Sequence, residues 1–267
     1  MNYYTSHDDP VSNNNQAITL MESGCLEDAI QLLSKALETT KKALFAMSGD
    51  DSEHQICVGD SDMSSHDPLT LDLHMNMCNT ASIIPEQSLS QVPDSDDEQT
   101  YYYIYCKGIR IEPMSTTTTT SSSSCSSSSG AQRRMVIYST IIIFNLALSF
   151  HLSTLATSSS SQKNKNKTSA RLTKALKLYE LALTLQEQER IKGNIFFTLA
   201  SVNNMGVIQR SIGESDKQAR GYFEFVLSNL LPVFAGIGKE SSVCPLTAFF
   251  HNAITILNSR SHSAPAA

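Results

Sequence analysis

Apolar positions from Ala17 to Met47 fall near three-and-four spacing at Ala17, Leu20, Ala29, Leu33, Ala36 and Leu37, the signature of helices with one buried face. Gly24 and Cys25 interrupt the pattern, so residues 10–47 are predicted to form two antiparallel helices joined by a tight turn. From 48 to 100 the periodicity is lost among Asp, Ser, Gly and Pro, with too few apolar residues to offset chain entropy; a mostly disordered segment is predicted. Tyr101–Glu112 reads YYYIYCKGIRIE, aromatic and β-branched with one glycine, and predicts one or two short strands. A Ser/Thr tract over 115–129 has no apolar face and reads as a flexible linker, which makes 48–132 one long low-complexity insertion. Helical periodicity then returns over 135–260, broken at 157–169 and near 236–242. It predicts five helices, about 139–156, 170–192, 194–212, 215–235 and 246–258.

The helix pairs share a grammar. Small residues on the first helix, Ala17, Ala147 and Gly206, are followed on the second by a small residue and then a large one: Ala29 with Leu33, Ala175 with Tyr179, and Ala219 with Phe223. The physical reason is packing, since a small residue admits the partner helix closely and the small-large alternation fills the groove that results. Gly24 and Gly213 stand at two of the turns, and the middle pair carries its extra residues in the polar loop.

In these positions the chain resembles the tetratricopeptide repeat family. It departs from the family at the start of the first helix, where Asn13, Ile143 and Val202 replace an aromatic, and in the insertions that interrupt the repeat period. The resemblance implies an all-α solenoid of about three interrupted helix-turn-helix repeats, closed by a capping helix containing Leu246, Phe249, Phe250, Ala253, Ile254 and Leu257. It further implies a non-catalytic protein-interaction scaffold that binds a peptide or helix on a concave face lined by the first helix of each pair. On this sequence that face carries Asn14, Ile18 and Met21, then Phe144, Leu148 and His151, then Asn203, Val207 and Arg210. The converging lysines of the chaperone-tail-binding members are missing, so a protein or peptide partner of another kind is expected.

Composition sharpens this division. Only 17% of the 267 residues are charged, while 39 serines and 21 threonines supply much of the polar surface. The net charge of -6 hides a net of -15 over residues 1–100 and +9 over 101–267. Most of the acidity therefore belongs to the insertion and not to the helical body. Six scattered cysteines without CxxC spacing read as free thiols, and the opening MNYYTSHDDP has no secretory signal, which places the chain in the cytoplasm or nucleus.

Candidate chemistry is sparse. No phosphate loop, nucleophile elbow or HExxH occurs, so no enzyme, cofactor or metal site is expected; His54 with Cys57 and His74 with Cys78 are too loosely spaced for zinc ligation. Ser95 heads an acidic run suited to an acid-directed kinase. Lys163, Lys165 and Lys167 form the one tight basic cluster and read as a solvated loop, so nucleic acid is not an expected partner. The alternative to a scaffold is a single-pass membrane anchor through 135–156, which is uncharged and long enough to span. Seven of its residues are polar, which weighs against it. Tyr101–Ile111 carries a further hypothesis: it folds back onto the concave face and occupies it until a partner displaces it.

Overall fold

The first helix begins where its N-terminal amides find an acceptor. The Asp9 carboxylate accepts hydrogen bonds from the Val11 and Ser12 amides at 3.4 and 2.9 Å, and Pro10 supplies a helical φ at the first position. In the computed structural model α1 runs Pro10–Glu22 and α2 Leu26–Ser48. Between them Gly24 takes φ +79°, and the Gly24 and Cys25 amides donate back to Met21 and Leu20 carbonyls, which closes the predicted tight turn. The structure describes residues 9–48, 89–92, 100–112, 128–155, 162–188, 195–213, 216–236 and 244–258.

Those residues hold two short strands, β1 (Leu89–Val92) and β2 (Thr100–Tyr103), and five further helices: α3 (Ser128–Leu155), α4 (Gln162–Gln188), α5 (Ile195–Ile212), α6 (Asp216–Gly236) and α7 (Cys244–Asn258). The fold is mostly helical, as the periodicity predicts. Three expectations are corrected. Leu89–Val92, inside the stretch read as disordered, pairs antiparallel with β2 in the register Leu89 with Tyr103 and Val92 with Thr100. Helix α3 starts at Ser128 and not near 139, because Ala131, Gln132, Arg133 and Arg134 are good helix formers that extend it backwards into the expected linker. Helix α4 starts at Gln162, so Lys165 and Lys167 stand exposed on helix and not in the loop predicted over 157–169; straight-chain lysines lose little rotamer freedom there. The rest of the predicted insertion, 49–88, 93–99 and 113–127, lies outside the described residues.

The chain divides into two compact units. One comprises α1, α2, residues 108–112, α3 up to Ser149 and α4 from Leu181. Its helix pair packs small against large: Ala17 on α1 and Ala29, Leu33 and Ala36 on α2 are all fully buried. Every residue from Ile141 to Ser149 on α3 is buried as well.

The other unit comprises β1, β2, the chain onward to Lys107, α3 from Phe150, α4 to Glu180, and α5 to α7. Here Gly206 on α5 meets the Phe223 ring of α6 so closely that a Cβ would come within 2.8 Å of two ring carbons. The core is built from Tyr102, Ile104, Val207, Phe223, Ala253 and Ile256, with Leu152, Leu155 and Leu227 against it. Tyr179 of α4 is fully buried and takes the His151 ring edge-on, and the Lys174 ammonium lies 4.2 Å from the centre of the Phe150 ring.

Candidate functional site

Beyond Tyr103 the extended chain runs on to Glu112 outside any strand ladder, yet Tyr105, Ile109 and Ile111 are buried. Their peptide groups need partners, because a buried N–H or C=O left without one costs about as much as a lost hydrogen bond. Asparagine side chains on the helices supply them.

In the unit containing α5 and α7, the Tyr103 amide donates to Asn252 Oδ1 at 2.8 Å, and Asn252 Nδ2 donates to the Tyr103 carbonyl at 2.7 Å. Asn204 treats Tyr105 the same way, accepting at 2.9 Å and donating at 3.0 Å, and also donates to the Tyr179 hydroxyl at 3.0 Å. Asn203 Nδ2 donates to the Tyr103 carbonyl at 3.1 Å and its Oδ1 accepts from Asn252 at 2.7 Å, which fixes the orientation of both amides. Aromatic packing holds the side chains: Tyr102 stacks on Phe223, while Tyr103 and Tyr105 both tilt against Phe249.

In the unit containing α1, the Ile109 amide donates to Asn145 Oδ1 and the Asn145 Nδ2 donates to the Ile109 carbonyl, both at 2.8 Å. Asn15 grips Ile111 through the same pair of bonds, at 2.8 and 2.7 Å. Asn14 bridges the set. It donates to the Ile109 carbonyl at 3.1 Å, and its Oδ1 accepts from Asn145 at 2.8 Å. Gly108 lies so close to α1 that a Cβ would meet Ile18 Cγ1 at 2.9 Å. Arg110 lies along α1 at the surface, donating to the Asn15 carbonyl at 3.1 Å and the Thr19 hydroxyl at 3.4 Å and pairing with Glu22 at 2.7 Å.

A carboxamide suits this task because it carries an acceptor and a donor side by side, as a neighbouring strand would present them. Neither oxygen nor nitrogen titrates, so the grip does not depend on pH. Burial also acts on three titratable side chains near these asparagines. Burial pushes the His151 imidazole down to about 3, and its Nδ1 finds no hydrogen-bond partner among the described residues, so the ring is neutral at ordinary pH. Burial likewise pushes the Tyr105 and Tyr179 hydroxyls well above the usual phenol range.

Of the nine residues expected to contact a partner, Asn14 and Ile18 meet the extended chain in one unit, and Asn203 and Val207 meet it in the other. Met21, Phe144, Leu148 and His151 are buried, and Arg210 is half-buried in the last turn of α5. Sequence reasoning missed Asn15, Asn145, Asn204 and Asn252, which make the four two-bonded contacts. A signal was there: Asn15, Asn145 and Asn204 each stand two residues before the small residue of the repeat grammar, Ala17, Ala147 and Gly206.

Among the described residues no three of His, Cys, Asp and Glu cluster as metal ligands, while His54, Cys57, His74, Cys78 and Ser95 lie outside those residues. Among the described residues one helical stretch, Gly130–Leu155, is long and apolar enough to cross a membrane, with a mean hydropathy of 1.8. No known protein family, no curated protein and no solved structure matches the chain.

Proposed function

We propose that the protein is a non-catalytic interaction scaffold, a tetratricopeptide-like solenoid of about three interrupted helix pairs and a capping helix, which holds extended protein segments on the first helices of its pairs. One observation carries this reading: four asparagines on α1, α3, α5 and α7 each take both the N–H and the C=O of one residue in an extended chain. That is recognition of main chain, the means by which proteins bind peptides through added strands. Asn14, Ile18, Met21, Phe144, Leu148, His151, Asn203, Val207 and Arg210 would contribute the surroundings of such a segment. They include no group poised for catalysis.

The competing anchor reading draws on the length and hydropathy of Gly130–Leu155. Against it, Asn145 spends its amide on three hydrogen bonds inside the protein, and Ile141–Phe150 are all buried by protein. Peptide display on the full chain tests the scaffold. Selected peptides are expected to bind saturably and to lose affinity when their own main-chain amides are N-methylated. Binders indifferent to that change, or none at all, would sink the reading, and carbonate-resistant sedimentation with membranes would replace it with the anchor.

A further inference from the structure

The clamped segment also says what kind of peptide the asparagines accept. Tyr103, Tyr105, Ile109 and Ile111 each give an N–H to an asparagine oxygen, which proline could not do at any of the four positions. Tyr102 and Ile104 fill the core of one unit, so those positions need apolar side chains. In the other unit, position 108 admits only glycine without displacing Ile18. Arg110, by contrast, has its side chain 46% exposed, and its bonds to the Asn15 carbonyl, the Thr19 hydroxyl and Glu22 on α1 all lie at the surface, where each imposes little.

We infer that residues 100–112 are a tethered ligand, filling in cis one site in each unit: in one the pattern is apolar at 102 and 104 with an N–H at 103 and 105, in the other it is glycine at 108 with an N–H at 109 and 111. A partner carrying either pattern enters by exchange with the tethered copy. The inference rests on the scaffold reading and adds to it the present occupant and the rule of admission. Since the contacts on the chain's peptide groups are made by amides, the rule tolerates change wherever a side chain faces out. A covalently joined ligand competes at an effective concentration of about millimolar, so exchange is seen most clearly once the cis copy is removed.

The test uses the full chain with residues 100–112 replaced by a Gly/Ser run of equal length, titrated with a fluorescent synthetic peptide spanning Thr100–Glu112. Saturable binding is expected, weaker by on the order of tenfold or more to the intact chain, where the tethered copy is in place. A peptide N-methylated at the Tyr105 amide, or carrying Gly108→Val, is expected to lose on the order of tenfold or more, and an Arg110→Ala peptide less than about threefold. If the replaced chain has lost its helical circular dichroism, the same peptide is expected to restore it and the N-methylated one is not. Two results overturn the inference: a folded replaced chain that takes no peptide, or an unfolded one that the peptide fails to rescue. Either would make the segment an ordinary core strand while leaving display-selected foreign binders, and with them the scaffold reading, intact. Conversely, binding of Thr100–Glu112 with no foreign binder selected would remove the scaffold reading, and with it the exchange of partners, and leave the segment a ligand for this chain only.

Discussion

Replacing Asn204 by Ala tests how much the amide grip contributes. The side chain is fully buried and makes four hydrogen bonds: it accepts from the Tyr105 amide at 2.9 Å and from Asn203 Nδ2 at 3.3 Å, and donates to the Tyr105 carbonyl and to the Tyr179 hydroxyl, both at 3.0 Å. Alanine leaves the Tyr105 N–H and C=O without their asparagine partner in a site where Tyr105 is itself buried. Each unsatisfied buried group costs about 1–3 kcal/mol, so a loss of about 2–5 kcal/mol is expected. That is a large share of the roughly 5–15 kcal/mol that holds a typical domain folded. The control is Asn229→Ala on α6, whose amide donates to the Phe225 carbonyl of its own helix in an exposed hydrogen bond and should change stability by less than about 0.5 kcal/mol. Urea unfolding followed at 222 nm reads both. Asn204→Asp adds a sign test: it keeps the acceptor but sets an oxygen against the Tyr105 carbonyl, so it should be at least as damaging at neutral pH and recover partly in acid. If Asn204→Ala unfolds at the same urea concentration as Asn229→Ala, the clamp contributes nothing and the reasoning fails.

The remaining predictions use the same measurement. The unfolded His151 takes a proton near 6.5 and the folded one only near 3, so acid favours unfolding: its contribution to stability is lost progressively as pH falls from 6.5 towards 3. At pH 5 the penalty is about 2 kcal/mol, and His151→Leu should lose that much less stability than the parent between pH 7 and pH 5. Gly206→Ala drives a methyl into the Phe223 ring and should cost about 1–3 kcal/mol, whereas Gly221→Ala on the facing helix, with open space around it, should gain about 0.5–1 kcal/mol. Equal signs for the two would refute the close approach. Arg110→Ala removes an exposed ion pair and should cost less than about 1 kcal/mol.

Local rules made the helices legible. Ala17, Ala29, Leu33 and Ala36 in the first pair, and Ala219, Phe223 and Val226 on α6, follow a spacing that packing imposes on neighbours in sequence, and all are buried where the pattern puts them. The asparagines were legible only as tolerated polar residues, because their partners are distant: Asn252 bonds Tyr103 across 149 positions and Asn145 bonds Ile109 across 36. In α3 the stretch IIIFNLALSF reads as apolar with an accident in it, yet Asn145 is the residue the surrounding burial serves. The strand Leu89–Val92 was hidden for a related reason. Its order depends on a ladder with Thr100–Tyr103, while the acidic residues around it argue locally for no structure at all.

Those separations also set a timetable for folding. On the ribosome, at roughly 5–20 residues per second, Tyr103 emerges on the order of 10 s or more before Asn252, the residue that takes its peptide group. Until then the run Tyr101–Tyr105, five residues of high β-propensity without a charge or a proline, offers open peptide groups to any passing strand. The acidic stretch Asp94–Glu98 immediately before it fits the role of a gatekeeper, since like charges keep nascent copies apart. Removing those four acids should lower the yield of soluble protein during synthesis.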